Sequence, residues 1–416
     1  MKKTRLVMIV AMLVSVFAAG CGNSSSSSSE PTIVIGETEP LSGPLAVYGV
    51  PQNNSIKLAV KHINERGGID VGGKKHRIEL VSLDDQFNPT TALSNIKKMV
   101  EHEKIQFLVG FMSGSSVMPA FPYIKENKLP TLVGVAPDKA ITATNNPYVF
   151  HVRPPSDFTG LTSGRFIGEE LNVKTMAVVG TTAQGFFKDL IEGVQQGLQS
   201  TGGSITTVQG FKVGDQDITA QLTAAIATKP DAIYVGADVE SAAFVYKQAK
   251  ELGYKGRLLG FNGGSKAQFE KIVSADVLEG IYDMIPAEIN PSDHSINGPY
   301  AQTFLDKYKA EYNVEAPPST GYGYDLMNIL AAAIEQAGTT DADAVVKALN
   351  EMPVPKEHMT MKWIPVEGKM FDKNNQAYVP NASFVWTGGD KKVHKEMNSP
   401  VQEYSEGLAK IRNASK

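Results

Sequence analysis

Residues 105–126 read IQFLVGFMSGSSVMPAFPYIKE. Ile105–Val109 is apolar except for Gln106 and of strand length, and Ser115–Glu126 carries apolar residues at helical spacing. Between them lies Gly110-Phe111-Met112-Ser113-Gly114-Ser115-Ser116. Its glycines let the backbone approach a ligand closely. Its serines and the first amides of the helix can hold an anion, or Ser115 or Ser116 can simply cap the helix. A strand that delivers a polar, glycine-rich loop to a helix start is the unit of an α/β sheet.

The same rhythm extends in both directions. Upstream, Thr32–Gly36 reads as a strand, Ser55–Arg66 as a helix stopped by Gly67-Gly68, His76–Leu83 as a strand and Thr90–His102 as a helix. Downstream, Leu129–Val135 is a strand, and paired prolines at Pro154-Pro155 interrupt the series. It then restarts: helix Phe158–Leu171, strand Thr175–Val179, helix Phe186–Ser200, strand Ile205–Phe211 and helix Ile218–Ala227. Strand Ala232–Gly236, helix Ala242–Leu252 and strand Leu258–Phe261 complete it. Helices Tyr300–Tyr312, Gly323–Ala337 and Ala342–Asn350 follow, then weaker strands at Met359–Ile364 and Val379–Trp386 and a last helix at Val401–Asn413. The expected fold class is α/β, with two doubly wound parallel-sheet lobes. Such sheets bind ligands outside the carboxyl ends of their strands.

The N-terminus addresses location. Lys2, Lys3 and Arg5 precede an uncharged stretch, Leu6–Ala19, and then Gly20-Cys21 and a serine run, Ser24–Ser29. The apolar stretch is short for a membrane span and has the layout of a secretory signal. The expectation is a signal peptide over 1–20, a lipidated Cys21 and a flexible Ser-rich tether over 21–31. Cys21 is the sole cysteine, which excludes a disulfide framework and a thiol nucleophile. Without the three basic leader residues the chain has 37 basic against 44 acidic residues, so nucleic acid is not the expected partner. No two of the seven histidines stand at metal-ligand spacing, and there is neither a Gly-x-Ser-x-Gly elbow nor a phosphate-binding P-loop. No enzyme activity, cofactor or metal is expected.

The loops after the strands supply candidate binding residues. Beside Ser113, Gly114, Ser115 and Ser116 stand Tyr48, in the Gly43–Gly49 tract, and Ala136, through its backbone. The second series offers Phe186 as an apolar face after Gln184-Gly185, Asp238 as a charge and Asn262 as a donor and acceptor. Phe186 can instead be core, and Asp238 and Asn262 can cap helices. Asp138 is expected to cap the helix starting near Lys139, and Asp84-Asp85 to order the first-lobe loops.

Several motifs in order carry a resemblance. Gly43-Pro44 with Tyr48-Gly49, Ile63-Asn64 with Gly67-Gly68-Ile69, Asp84-Asp85 with Asn88-Pro89, Gly110–Ser116 with Pro119, and Gly321–Leu326 with Tyr324-Asp325 resemble the branched-chain amino acid-binding proteins of ABC transporters. The resemblance runs from about Thr32 to about Gly389. It implies a type I periplasmic-binding fold whose lobes are joined by three hinge crossings, with lobe 1 at 32–152 and 286–378 and lobe 2 at 153–285 and 379–416. It implies a monomer that takes a small solute and passes it to a membrane permease. It also implies that the serine loop holds a ligand carboxylate while acidic and carbonyl groups hold the ammonium. The family's acidic residue falls on Asn262, a neutral amide, and the threonine expected after Ala136 is absent. Asp238 is one substitute for the missing charge; a ligand without an ammonium, such as an aromatic or aliphatic carboxylate or an amide, is the alternative. The same fold also serves ligand sensors with a membrane signalling partner.

Overall fold

A computed structural model describes residues 31–43, 45–181, 185–290 and 293–414. The expected signal segment, Cys21, the serine run, Pro44 and Gln184 lie outside the described residues.

The strands form two sheets. The first comprises β1 (Thr32–Glu39), β2 (Ile69–Val71), β3 (Lys74–Asp84), β4 (Phe107–Gly110), β5 (Thr131–Val133) and β6 (Val149–His151), in the order β2-β3-β1-β4-β5-β6. The second comprises β7 (Thr175–Thr181), β8 (Ser204–Phe211), β9 (Ala232–Gly236), β10 (Arg257–Phe261), β11 (Tyr282–Pro286), β12 (Asn381–Thr387) and β13 (Asp390–Met397), in the order β13-β12-β11-β10-β9-β7-β8. Strand β1 runs parallel to β3 and β4, with Ile35 opposite Leu80 and Phe107. The chain passes from β1 to one side and then to the other, so the loops after β1 and β4 flank a switch point. The loops after β7 and β9 do the same in the second sheet.

Both sheets are covered on both faces, which is why their central strands read as continuous apolar runs. In the first, Ile35, Phe107 and Val109 face the helices Ala46–Glu65 and Thr320–Ala337, while Leu108 and Val133 face Ile96, Phe121 and Ile124. In the second, Val179 and Val235 face Ala242 and Tyr246, and Val178 and Leu259 face Phe166, Leu190 and Val194. Helices Ser156–Glu169 and Gly185–Ser200 cross backbone to backbone: a β-carbon on Gly164 would lie 2.3 Å from the carbonyl oxygen of Val194.

Three chain crossings join the sheets and lie side by side. His151 and Ala377 exchange backbone bonds with the strand-like segment opposite: His151 N–H to Asn375 O at 2.8 Å and Ala377 N–H to His151 O at 2.9 Å. Gln376 Nε2 donates to Arg153 O at 2.8 Å, and Ala287 N–H to Pro380 O at 2.6 Å. Arg153 on the first crossing faces Glu288 on the second at 3.6 Å. The three hinge crossings thus form one laced waist.

The last helix, Val401–Ala414, settles on this waist and touches both sides. Tyr404 hydroxyl donates to Asp157 at 2.6 Å, while Arg412 Nε donates to Asn145 at 2.8 Å and Ser405 Oγ to Asp372 at 2.5 Å. This helix therefore bonds residues that lie before and after the first crossing alike.

Some expected elements differ. Met359–Ile364 is not a strand: only Met361 makes a β-bridge, to Asn297, and the segment is held instead by the buried carboxylate of Asp325. The sheets are parallel at their centres but antiparallel at β2/β3, β11/β12 and β12/β13. Strands β2, β6, β11 and β13 were not expected. The sequence of β13, DKKVHKEM, hides its period because most of it faces solvent as an edge. Gly388 and Gly389, both at positive φ, form the two-residue turn that makes β12 and β13 a hairpin. Among the described residues, no helix is long and apolar enough to cross a membrane.

Candidate functional site

The loops after β1, β4 and β5 interlock at the carboxyl edge of the first sheet. Asp84 at the end of β3 accepts from Leu41 N–H at 2.8 Å and Ser42 Oγ at 2.5 Å, which fixes the loop after β1 as expected. Gly110 sits at φ +115°, and a β-carbon there would lie 2.8 Å from Thr38 O. Phe111, buried and at φ +74°, donates N–H to Thr38 O at 3.3 Å and accepts from Ala136 N–H at 3.1 Å.

The serine loop differs from the expectation in one chemical respect. Its amides are already engaged. Ser115 N–H donates to Ser113 Oγ at 3.1 Å, Ser116 N–H to Ser113 O at 3.1 Å, and Gly114 N–H to Asp138 Oδ2 at 2.7 Å. Ser113, not Ser115 or Ser116, is the cap. The hydroxyls of Ser113 and Ser115 lie 2.7 Å apart, and Ser116 Oγ is buried without a partner. Asp138 is likewise not the cap of the helix at Ala140; it reaches back to the loop after β4. Ala136 is fully buried, its N–H is taken, and its carbonyl accepts from His151 Nε2 at 2.6 Å. Burial lowers His151 to about 4, so the imidazole is neutral and acts as a donor here.

Tyr48 lies in the first turn of helix Ala46–Glu65 rather than in a loop, and is 36% exposed. Burial, then the charges of Asp238 and Glu240, push its hydroxyl pKa up.

On the second sheet, Phe186 is half-buried and pairs with Phe261, ring centres 6.3 Å apart. Phe261 was read only as a strand end; its place as the last residue of β10, at the carboxyl edge, is the signal that marks it. Asp238 caps helix Val239–Glu251: Oδ1 accepts from Ser241 N–H at 3.0 Å and Oδ2 from Ser241 Oγ at 2.7 Å. Asn262 is turned inward: Nδ2 donates to Ala237 O at 2.9 Å and Oδ1 accepts from the Tyr246 hydroxyl at 2.5 Å. Its N–H bonds Asp283, which is itself paired with Lys391 at 2.5 Å. Both residues hold their loops in place.

The β5 loop also touches the second lobe. Lys139 N–H donates to Asp189 Oδ2 at 3.3 Å, and Lys139 Nζ lies 3.2 Å from Asp157. Loops at the carboxyl edges of the two sheets thus meet beside the waist, and the serine pair, Tyr48, Phe186 and Phe261 all stand on those edges.

The family model described as periplasmic binding protein matches residues 32–390. The chain belongs to the periplasmic binding protein family. This family member is 25% identical over 328 residues to the leucine-, isoleucine-, valine-, threonine-, and alanine-binding protein of Pseudomonas aeruginosa, covering 79% of this chain and 84% of that one. It superposes on the branched-chain amino acid transporter substrate-binding protein LivJ of Streptococcus pneumoniae, solved with isoleucine, with TM-score 0.73 and 24% identity, covering 89% and 100% of the two chains. A solute-binding protein of R. palustris solved with benzoate matches with TM-score 0.67 and 18% identity over 88% and 98%. The type I periplasmic-binding fold is common to all of them. Among the described residues no group of three acidic, histidine or cysteine side chains is placed to hold a metal ion.

Proposed function

We propose that the chain is the extracytoplasmic substrate-binding lipoprotein of an ABC importer. It closes two lobes over a small solute, foremost an amino acid, and delivers it to the membrane permease. The observation that carries this reading is the meeting of loops from the carboxyl edges of the two sheets, Lys139 N–H on the first donating to Asp189 on the second at 3.3 Å, beside a waist of three adjacent crossings. Loops at facing strand ends joined by a narrow hinge can bury a ligand by rotation, and the closed shape is what a permease can recognise. The moving units are 32–152 with 286–378 and 153–285 with the β12–β13 hairpin. Cys21 carries the lipid that keeps this monomer at the membrane.

A thermal-shift screen of residues 30–416 tests the reading. A specific rise in melting temperature with one amino acid supports it, because a ligand that binds only the folded state stabilises by mass action. No rise with amino acids, amides or aromatic acids refutes it. Loss of membrane retention in Cys21→Ala cells tests the anchor. A second reading, an aromatic carboxylate as ligand, draws on the Phe186–Phe261 pair and the neutral Asn262. A signalling role in place of delivery is tested by deleting the chain and measuring uptake of its ligand.

A further inference from the structure

We propose that Asp138 is the charge-recognition residue of the cleft and that the ligand presents an ammonium group to it. This rests on the proposed role as a solute receptor and specifies its ligand class.

The argument begins with what the other candidates cannot do. Asp238 already spends both carboxylate oxygens on its own helix start, and Asn262 is neutral, with both polar side-chain atoms turned into the second lobe. The serine loop also lacks a free leading amide, because Asp138 Oδ2 already occupies Gly114 N–H at 2.7 Å. A ligand carboxylate placed there would compete for that hydrogen and meet a like charge within a few ångströms.

Asp138 itself lies between the lobes. It sits on the loop after β5, and its Oδ1 is 3.5 Å from where a side chain on Gly185, at the start of a second-lobe helix, would stand. Burial raises its pKa; burial, then the charge of Asp157 and to a smaller degree that of Asp138, raises that of Asp189 nearby. Arg153 supplies some attraction, but its guanidinium donates to Val135 O at 3.0 Å and faces Glu288. Lys139 faces Asp157 and Glu192 instead. Asp138 is thus a half-buried carboxylate held by the N–H of Gly114 and by its own, with no cation at ion-pair distance among the described residues. An ammonium brought by the ligand would offset that desolvation and complete its coordination. Placing the charge on the first lobe also means that recognition precedes closure.

The chemistry has two sources, a zwitterionic amino acid or an amine without a carboxylate. The experiment separates them. Calorimetric titration of residues 30–416 at pH 7.5 uses three probe sets: amino acids, the amines obtained by removing their carboxyl groups, and the acids obtained by removing their amino groups. Binding of an amino acid or an amine, with no binding of the matching acid, is the expected result. The two positive arms distinguish a zwitterion site from an amine site. Asp138→Asn keeps an acceptor for Gly114 N–H and should weaken the ammonium probe by at least about thirty-fold, as when one partner of a desolvated charge pair is removed. Binding of the deaminated acids alone, or equal affinity of Asp138→Asn, overturns the inference and leaves the receptor role intact. No binding in any set overturns both. Since the wild-type probe pattern is decisive by itself, a variant that fails to fold does not rescue the idea.

Discussion

Replacing Asp325 should loosen the segment that leads into the third crossing, and the structure sets the size of the effect. Asp325 is fully buried in helix Thr320–Ala337. Its Oδ1 accepts from Thr360 N–H at 2.8 Å and Thr360 Oγ1 at 2.8 Å, and its Oδ2 from Met361 N–H at 3.0 Å and Trp363 Nε1 at 2.8 Å. In Asp325→Asn the amide oxygen can serve one pair, but the amide nitrogen then faces two donors. Each orphaned buried donor costs about 2 kcal/mol, so the variant should lose about 4 kcal/mol. Thr360→Val removes only a hydroxyl and should lose about 1 kcal/mol. Urea unfolding followed by circular dichroism measures both, with an unchanged m-value as the check that the unfolded state is the same. An Asn variant within about 1 kcal/mol of wild type would refute the claim that this carboxylate, rather than a β-ladder, holds residues 359–363.

Three further outcomes are expected. Burial holds Glu37 at about 7 rather than 4.5, so the native chain keeps a proton that the unfolded chain has released; its stabilisation is full below pH 4.5 and is lost as pH rises through about 7. Glu37→Gln should therefore reduce the stability difference between pH 5 and pH 8 by about 3 kcal/mol; an unchanged difference in urea unfolding would count against it. His62 and His151, lowered to about 4, act oppositely between pH 6.5 and 4, so the comparison with the variant is the readout rather than the raw profile. Gly164→Leu should lose about 3 kcal/mol because the helix pair has no room, whereas Gly407→Ala, with nothing within 4 Å, should gain about 0.5–1 kcal/mol; equal effects of the two in thermal unfolding would sink this packing argument. Once a ligand is in hand, Phe186→Ala should weaken it about tenfold through loss of an apolar ring face, and calorimetry showing no change would place the ligand away from β7 and β10.

The alternation of strand and helix and the break at Pro154-Pro155 were legible because each is a local pattern: apolar period, glycine stops and prolines act within a few residues. The carboxyl-edge loops were legible for the same reason, since the strand order of an α/β sheet dictates where they must lie. What each loop residue does was not. The sequence around 136–138 is the same whether Asp138 caps its own helix or reaches across to Gly114, and only the folded distance of 2.7 Å decides it. Whether Asp238 caps its helix and which way Asn262 turns were equally open, and the bonds to Ser241, Ala237 and Tyr246 decide it. Strand β13 was invisible because an edge strand needs no buried face, and the 359–364 segment looked like a strand because its apolar residues are buried by a carboxylate clamp instead of a ladder. Sequence alone determined the periodic elements and the order in which they alternate, because burial of one face is a local demand. Tertiary structure alone decided where the polar atoms of Asp138 and Asn262 turn, because their hydrogen-bond partners lie on other loops and elements, 16 to 25 positions away.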